Sequence, residues 1–187
     1  MQREITLRRV WSANRLAEDV TRLIESSFPE DERRNTKEFL MVMDRKPMFG
    51  VYAIMEGETF RGVVTTWNFG KIVYVEHLAV EPGDRGQGIG GIAIGKVCEA
   101  VGETPVVVEV ECPTDDMTRR RVEFYERAGF KIWEAEYRQP PYSTTQASVE
   151  MRLMARGMEE TEENFSTVVG LLKMQVYGGR EAVPAIQ

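Results

Sequence analysis

The sequence predicts a mixed α/β (α+β) fold, in which a sheet of about seven strands carries helices on both faces. The predicted elements follow the order β-α-α-β-β-β-α-β-α-β-β, so the first four strands can form an antiparallel meander. A helix joins the fourth strand to the fifth, and a right-handed crossover of this kind makes the two strands parallel. We therefore expect an antiparallel meander with one parallel pair at the centre of the sheet.

The first part of the chain predicts one strand and two helices. Residues 5–10 alternate apolar and polar side chains, as a half-buried strand does. We expect Ser12 to cap the first helix and, after a break at FPEDERRN, Thr36 to cap the second. Each helix carries apolar residues on one face, namely Leu16, Val20, Leu23 and Ile24 in the first and Phe39, Leu40 and Met43 in the second.

Strands and two further helices make up the centre of the chain. FGVYAIMEGETFRGVVTTWNFG contains two β-rich runs that meet at the hairpin Glu56-Gly57-Glu58, and IVYVEHLAV is the next strand. The glycine-rich stretch GDRGQGIGG opens a helix over about residues 88–101, and the valine-rich PVVVEVEC follows as a strand. The next helix covers about residues 117–128 and ends at Gly129. FKIWEAEYRQ and ASVEMRLMAR, joined by the loop PPYSTTQ, complete the sheet.

Beyond residue 157 we expect one more helix and a mobile tail, REAVPAIQ. The apolar residues of this helix form a single stripe, made of Phe165, Val168, Val169, Leu172 and Val176. Such a stripe needs a partner, either its own domain or a second copy of the chain, which would make a homodimer. We therefore divide the chain into a domain, 1–157, and a C-terminal helix with its tail, 158–187.

The composition excludes several classes of function. The 187 residues carry a net charge of -6 and no long basic run, which argues against a broad nucleic-acid-binding face. No apolar run reaches membrane-spanning length and no signal core opens the chain, so we expect a cytoplasmic protein with no membrane partner. His77 is the only histidine, which argues against a histidine-built metal site or a catalytic triad. Cys98 and Cys112 fit reduced thiols better than a disulfide framework.

The stretch GDRGQGIGG fits two anion-binding motifs. Gly86, Gly88 and Gly91 spell G-x-G-x-x-G, the dinucleotide fingerprint, and Glu111 ends the next strand where a ribose-binding acid would lie. Three features argue against this interpretation. Five residues separate the end of the preceding strand at Val80 from the first glycine, a meander precedes the motif, and no repeated βαβ units follow it.

The second motif, R-x-x-G-x-G, is formed by Arg85, Gly88 and Gly90 and predicts a coenzyme A pyrophosphate loop. The amides of a glycine-rich turn that opens a helix converge on a phosphate, and the helix dipole adds to the attraction. Arg85 supplies local positive charge for bidentate phosphate contact in an acidic chain. We favour this interpretation, because glycines that only shape a turn would leave Arg85 without a role.

Two stretches together resemble a known family. LAVEPGDRGQGIGG resembles the acetyl-CoA-binding motif of the GNAT superfamily of N-acyltransferases, and VEFYERAGF resembles the helix and strand that follow it. The predicted order of elements over residues 5–156 is also similar to the GNAT fold. The resemblance implies an acyltransferase with acetyl-CoA as co-substrate. It would pass the acetyl group directly to a primary amine of a small molecule or a protein, in a ternary complex and without a metal.

The resemblance also implies roles for individual residues. Tyr125 would be the general acid that protonates the departing thiolate, and Glu76 the general base, with Glu109 and Glu111 as alternatives. By strand alternation, His77 would point away from Glu76 and pack in the core. The residues expected to bind acetyl-CoA are Leu78, Ala79, Val80, Arg85, Gly86, Gln87, Gly88, Ile89, Gly90, Gly91, Thr118 and Arg121. The last two replace the asparagine and the small residue that many family members carry there.

The acceptor is the least defined part of the resemblance. Family members build the acceptor site from the first two helices and the loop between the last two strands, here residues 28–34 and PPYSTTQ. Glu30, Asp31 and Glu32 would either attract a cationic amine or form a solvated loop. A different class of function stays open, namely a non-catalytic acyl-CoA sensor of the same fold, which would need no chemistry from Tyr125.

Overall fold

The structure is a computed structural model that describes residues 3–181. Its strands are β1 (Ile5–Arg9), β2 (Phe49–Glu56), β3 (Thr59–Asn68), β4 (Val73–Val80), β5 (Val106–Glu111), β6 (Lys131–Ile132), β7 (Tyr137–Gln139) and β8 (Val149–Arg156). They form one sheet in the order β1-β2-β3-β4-β5-β8-β6, and β7 also pairs with β8. Among these pairs only β4 and β5 are parallel, as the crossover predicted.

Helices cover both faces of the sheet, which confirms the predicted fold class. On one face pack α1 (Ala17–Ser27), α2 (Thr36–Arg45) and α5 (Glu162–Leu171), and on the other α3 (Ile89–Val101) and α4 (Asp116–Arg127). Each face has its own cluster of buried apolar side chains. Within residues 3–181, no helix is long and apolar enough to cross a membrane.

The two predicted helix caps are wrong. α1 begins after Leu16, and the amide of Ser12 instead donates to Oδ1 of Asp44 at 3.1 Å. α2 is capped by Asn35, whose side chain accepts from the amide of Glu38 at 2.9 Å. Ser12 therefore ties the connection after β1 to the end of α2.

The stretch FKIWEAEYRQ forms two short strands, β6 and β7, where the sequence predicted one. The amides of Glu134 and Ala135, which lie between them, each donate to the carboxylate of Glu160 at 2.8 Å. These amides are therefore taken out of the ladder with β8, and the chain bends away before it pairs again. Within residues 3–181 the sheet has eight strands for this reason.

An opening in the middle of the sheet follows from the short pairing of β4 with β5. The two strands pair at only three positions, residues 73–75 of β4 with residues 106–108 of β5. Immediately afterwards the register of β3 against β4 shifts between Thr65 and Thr66, so that Glu76 is an extra, bulged residue. Beyond this bulge the ends of β4 and β5 are not paired with each other.

The C-terminal helix packs against its own domain, one of the two placements that its apolar stripe predicted. After α5 the chain continues through one π-helical turn, Leu172–Val176. Val168, Leu172, Val176 and Tyr177 are buried in the same cluster as α1 and α2. The boundary at residue 157 and a homodimer through this helix stay predictions. Residues 182–187 of the expected tail lie outside the described residues.

Gly62 allows β3 to approach β4 closely, and we expect Gly62→Ala to lower the free energy of unfolding by about 1–3 kcal/mol. An added Cβ would lie inside contact distance of the carbonyl oxygen of Ala79 and 3.2 Å from Cα of Val80, which are both backbone atoms. Urea denaturation followed by circular dichroism measures the change.

Gly95→Ala is the matched control for this substitution. Gly95 lies inside α3 with nothing within 4 Å of an added Cβ, so alanine should raise the free energy of unfolding by about 0.5–1 kcal/mol. Equal effects of the two substitutions would contradict the close approach of the two strands.

Candidate active site

A cleft of about 630 Å³ lies at the opening between β4 and β5. Its walls include the ends of both strands and α4 on one face of the sheet, and the α1–α2 connection and the β7–β8 loop on the other. The cleft is therefore accessible to groups from both faces. A second groove, of about 660 Å³ between β1–β3 and the end of α3, contains none of the predicted site residues.

The glycine loop lies at one end of the cleft and leaves its amides free. Gly86 and Gly88 have φ angles of 76° and 81°, which only glycine adopts readily, and Gly88 is the N-cap of α3. None of the amides of residues 85–91 donates a hydrogen bond to another part of residues 3–181. Arg85 lies beside these amides, and its Nε donates to the carbonyl of Val80 at 3.1 Å. Free amides at a helix start beside an arginine can bind an anion.

The end of β4 presents free backbone to the same cleft. Leu78, Ala79 and Val80 pair with β3 on one side, while their other side faces the opening, where β5 has separated. Unpaired strand backbone of this kind can bind an extended ligand as an added strand. The structure thus brings the predicted strand segment and the predicted glycine loop to one continuous cleft.

Tyr125 lies in the cleft wall with a protonated hydroxyl. Its ring packs edge-to-face against Phe124 and Phe130, with centroid distances of 5.0 and 5.5 Å. Burial raises the pKa of Tyr125 to about 12. The hydroxyl has no hydrogen-bond partner in the part of the chain that the structure describes. It is therefore free to donate to a group bound in the cleft.

The two predicted α4 contacts differ in their position. Arg121 lines the cleft and forms an ion pair with Glu111 of β5. Thr118 lies at the start of α4 in a capping box with Asp115, whose amide donates to the threonine hydroxyl at 3.1 Å. Thr118 is not among the residues that line the cleft, and its contact with a cofactor stays a prediction.

The carboxylate of Glu76 is buried and bonded to other side chains. Its side chain is 0% exposed and forms an ion pair with Arg34. The indole nitrogen of Trp67 donates to it at 3.1 Å and the hydroxyl of Tyr142 at 3.0 Å. Burial alone would raise the pKa of Glu76, but Arg34 above all lowers it below its ordinary value. The base role predicted for Glu76 stays a prediction, and these contacts do not favour it.

Glu109 accepts hydrogen bonds from three tyrosines. The hydroxyls of Tyr74 and Tyr177 donate to it at 2.5 and 2.6 Å, and that of Tyr137 donates to its other oxygen. Burial raises the pKa of Glu109, although the three donors act in the opposite direction. Tyr177 comes from the C-terminal segment, and Arg34 donates to the carbonyl of Val176 at 2.6 Å. No local sequence pattern marks these partners, because they come from distant parts of the chain.

The predicted acidic segment forms a single 3-10 turn, and its three carboxylates have different environments. Glu30 is exposed, and Oδ1 of Asp31 accepts from the amide of Ala147 at 3.2 Å. Glu32 lines the cleft and its carboxylate has no hydrogen bond or ion pair within residues 3–181. Burial first, and then Glu111, raise the pKa of Glu32 to about 7.

His77 is packed in the interior, as expected, but on the same side of the strand as Glu76. The bulge interrupts the alternation, so Nδ1 of His77 lies 3.7 Å from Oε2 of Glu76. Its other ring nitrogen, Nε2, lies 3.0 Å from the carbonyl oxygen of Glu32. The expected opposite orientation is therefore wrong.

Comparisons with known proteins agree with this geometry. The Acetyltransferase (GNAT) family matches residues 14–130. A solved structure described as a GNAT-family acetyltransferase from Bacteroides thetaiotaomicron is 32% identical, covers 92% of this chain and 98% of its own, and superposes with a TM-score of 0.87. No curated protein matches the sequence significantly.

Two more distant structures share the fold. A GNAT acetyltransferase from Elizabethkingia anophelis with acetyl-CoA bound is 14% identical over 84% of this chain and all of its own, with a TM-score of 0.59. An acetyltransferase from Bacillus subtilis in complex with CoA is 14% identical over 83% of this chain and all of its own, with a TM-score of 0.56. The family match and the Bacteroides structure confirm the resemblance that the glycine loop and VEFYERAGF predicted. The chain belongs to the GNAT family of acetyltransferases.

Proposed function

We propose that this protein is an N-acetyltransferase that passes the acetyl group of acetyl-CoA directly to a primary amine in a ternary complex. The observation that carries this proposal is the cleft between β4 and β5, with the free amides of residues 85–91 at one end and acidic side chains at the other. An anionic co-substrate and a cationic acceptor fit these two ends. They would meet where the sheet is open to both faces.

On the α3 side, the residues fit the parts of acetyl-CoA. The amides of residues 85–91 and the guanidinium of Arg85 suit its pyrophosphate. The backbone of Leu78, Ala79 and Val80 on the side that faces the opening suits the pantetheine arm, and its amides can polarise the thioester carbonyl. The structures from Elizabethkingia anophelis and Bacillus subtilis, which hold acetyl-CoA and CoA, support acetyl-CoA as the co-substrate.

Direct transfer fits the chemistry of the cleft better than a covalent enzyme intermediate. Neither cysteine lines the cleft: Cys98 is a buried residue of α3, and Cys112 follows the end of β5. The hydroxyl of Tyr125, free and protonated, can give its proton to the departing CoA sulfur. The amine would approach from the α1–α2 side, where Glu32 and Tyr142 line the cleft.

Arg85→Ala should weaken acetyl-CoA binding by about 10–100-fold, the value of one charge-assisted phosphate contact. Isothermal titration calorimetry with acetyl-CoA measures the change. Arg45→Ala is the matched control. Arg45 is exposed at the end of α2, so its substitution removes the same charge far from the cleft. An unchanged Kd for Arg85→Ala, or binding of NADH instead of acetyl-CoA, would contradict the pyrophosphate site.

Tyr125→Phe should lower turnover by about 100-fold or more, because the thiolate loses its proton donor, while the Kd for acetyl-CoA stays unchanged. CoA thiol release is measured with a panel of amines: propylamine, putrescine, spermidine, lysine ethyl ester and an alanyl peptide. Tyr52→Phe, in the second groove, is the control and should keep wild-type turnover. Intact acetyl-CoA binding without any wild-type turnover would favour the sensor function over catalysis.

A further inference from the structure

We propose that Glu32 is the catalytic base that takes the proton from the acceptor amine. This inference rests on the proposed acetyl transfer and assigns one of its steps. An amine with an ordinary pKa is protonated at neutral pH and cannot attack until a base has removed a proton. The cleft contains four carboxylates that could act, those of Glu32, Glu76, Glu109 and Glu111.

Three of these carboxylates are already engaged by side chains of the protein. Glu76 is held by Arg34, Trp67 and Tyr142, and Glu109 by three tyrosine hydroxyls. Glu111 forms an ion pair with Arg121. A carboxylate that is already bonded to side chains of the protein must give up a partner before it can take a proton from an amine.

The carboxylate of Glu76 is also inaccessible from the cleft. Its side chain is 0% exposed, although the residue as a whole is half-buried. The exposed part of Glu76 is therefore its backbone, which lies two residues before the strand segment proposed to bind the pantetheine arm. Its carboxylate is buried in the network with Arg34, Trp67 and Tyr142.

Glu32 differs on each of these points. It lines the cleft, and its carboxylate makes no hydrogen bond or ion pair within residues 3–181. It lies at the end of the 3-10 turn on the α1–α2 side, opposite the cleft wall that contains Tyr125. A base on one side of the cleft and an acid on the other suit the two proton transfers of the reaction.

The backbone on both sides of Glu32 is fixed by its neighbours. Nε2 of His77 contacts the carbonyl oxygen of Glu32 at 3.0 Å, and because a carbonyl only accepts, this nitrogen carries the proton. Gln139 donates to the carbonyl of Asp31, and Gln146 to that of Arg33, each at 3.1 Å. The free side chain is thus held on a fixed backbone, as a catalytic group requires.

The charges that face Glu32 keep its pKa close to neutrality. Burial has the largest effect, and Glu111 and Glu109 on β5 and the adjacent Asp31 raise the pKa further. Arg121 on α4 acts in the opposite direction, and the pKa is about 7. A base with a pKa near the working pH is deprotonated often enough to act and is still strong enough to take a proton.

In the proposed step, Glu32 takes one proton from the ammonium R–NH3+, and the freed lone pair forms a bond to the thioester carbon. Tyr125 gives its proton to the CoA sulfur, which leaves with the electron pair of the broken C–S bond. The second nitrogen proton restores Tyr125, and Glu32 releases its proton to solvent. The products are the amide, CoA thiol and one proton.

The test compares Glu32→Gln with Glu18→Gln, an exposed control in α1 that makes the same change of charge outside the cleft. We expect Glu32→Gln to lower kcat/KM for the best amine of the panel by about 100-fold or more, with the Kd for acetyl-CoA unchanged. In the wild type and in Glu18→Gln, kcat/KM should rise with pH through about 7, because Glu32 must lose its proton. In Glu32→Gln this rise, the acidic limb of the pH profile, should be lost. In Glu32→Asp the acidic limb should remain, with a lower rate.

A second measurement needs no turnover. Carboxyl ¹³C NMR of the wild type should show a glutamate signal that titrates near pH 7, and this signal should be missing in Glu32→Gln. Methoxyamine is already neutral at the assay pH. The rate of its acetylation should therefore fall less in Glu32→Gln than the rate for propylamine.

The outcomes separate this inference from the proposed function. A wild type that binds acetyl-CoA but acetylates no amine of the panel would overturn both. An active wild type whose Glu32→Gln variant keeps its rate and its acidic limb would overturn the inference alone. Loss of the limb in Glu76→Gln, with its retention in Glu32→Gln, would give the role to Glu76 instead.

Discussion

The separation of β4 from β5 after three paired residues is the feature on which the site depends. The bulge at Glu76 lies at this point, and it leaves the backbone of residues 78–80 free to face the cleft. The helix that joins the two strands begins in the glycine loop, so the free amides of this loop lie at the same end of the opening. One irregularity in the sheet thus creates both the edge proposed to bind the cofactor and a passage between the two faces.

The opening places two glutamates in the middle of the sheet, and their burial requires partners. Arg34 neutralises Glu76, and tyrosines from β4, β7 and the C-terminal segment enclose Glu109. Removing one member of a buried ion pair typically costs about 3–5 kcal/mol, so this network favours one arrangement of the site. It also explains why the C-terminal segment packs on the domain: Val176 and Tyr177 supply two of the contacts.

Much of the fold could be predicted because it rests on local patterns. Alternation, turn glycines and the crossover rule predict the sheet and its one parallel pair, and GDRGQGIGG and VEFYERAGF predict the family. The strand split at residues 133–136, the bulge at Glu76 and the partners of Glu109 could not be predicted. Each depends on a polar group that arrives from a distant part of the chain, such as Glu160 or Tyr177. Alternation alone therefore placed His77 on the wrong side.

An amide NMR titration of the protein with acetyl-CoA tests the central claim most directly. If the cleft between β4 and β5 binds acetyl-CoA, the amides of residues 78–80 and 85–91 should show the largest chemical-shift changes. Amides in the second groove, such as those of Tyr52 and Lys96, should change little. Changes confined to the second groove, or no changes at saturating acetyl-CoA, would contradict the assignment of the cleft.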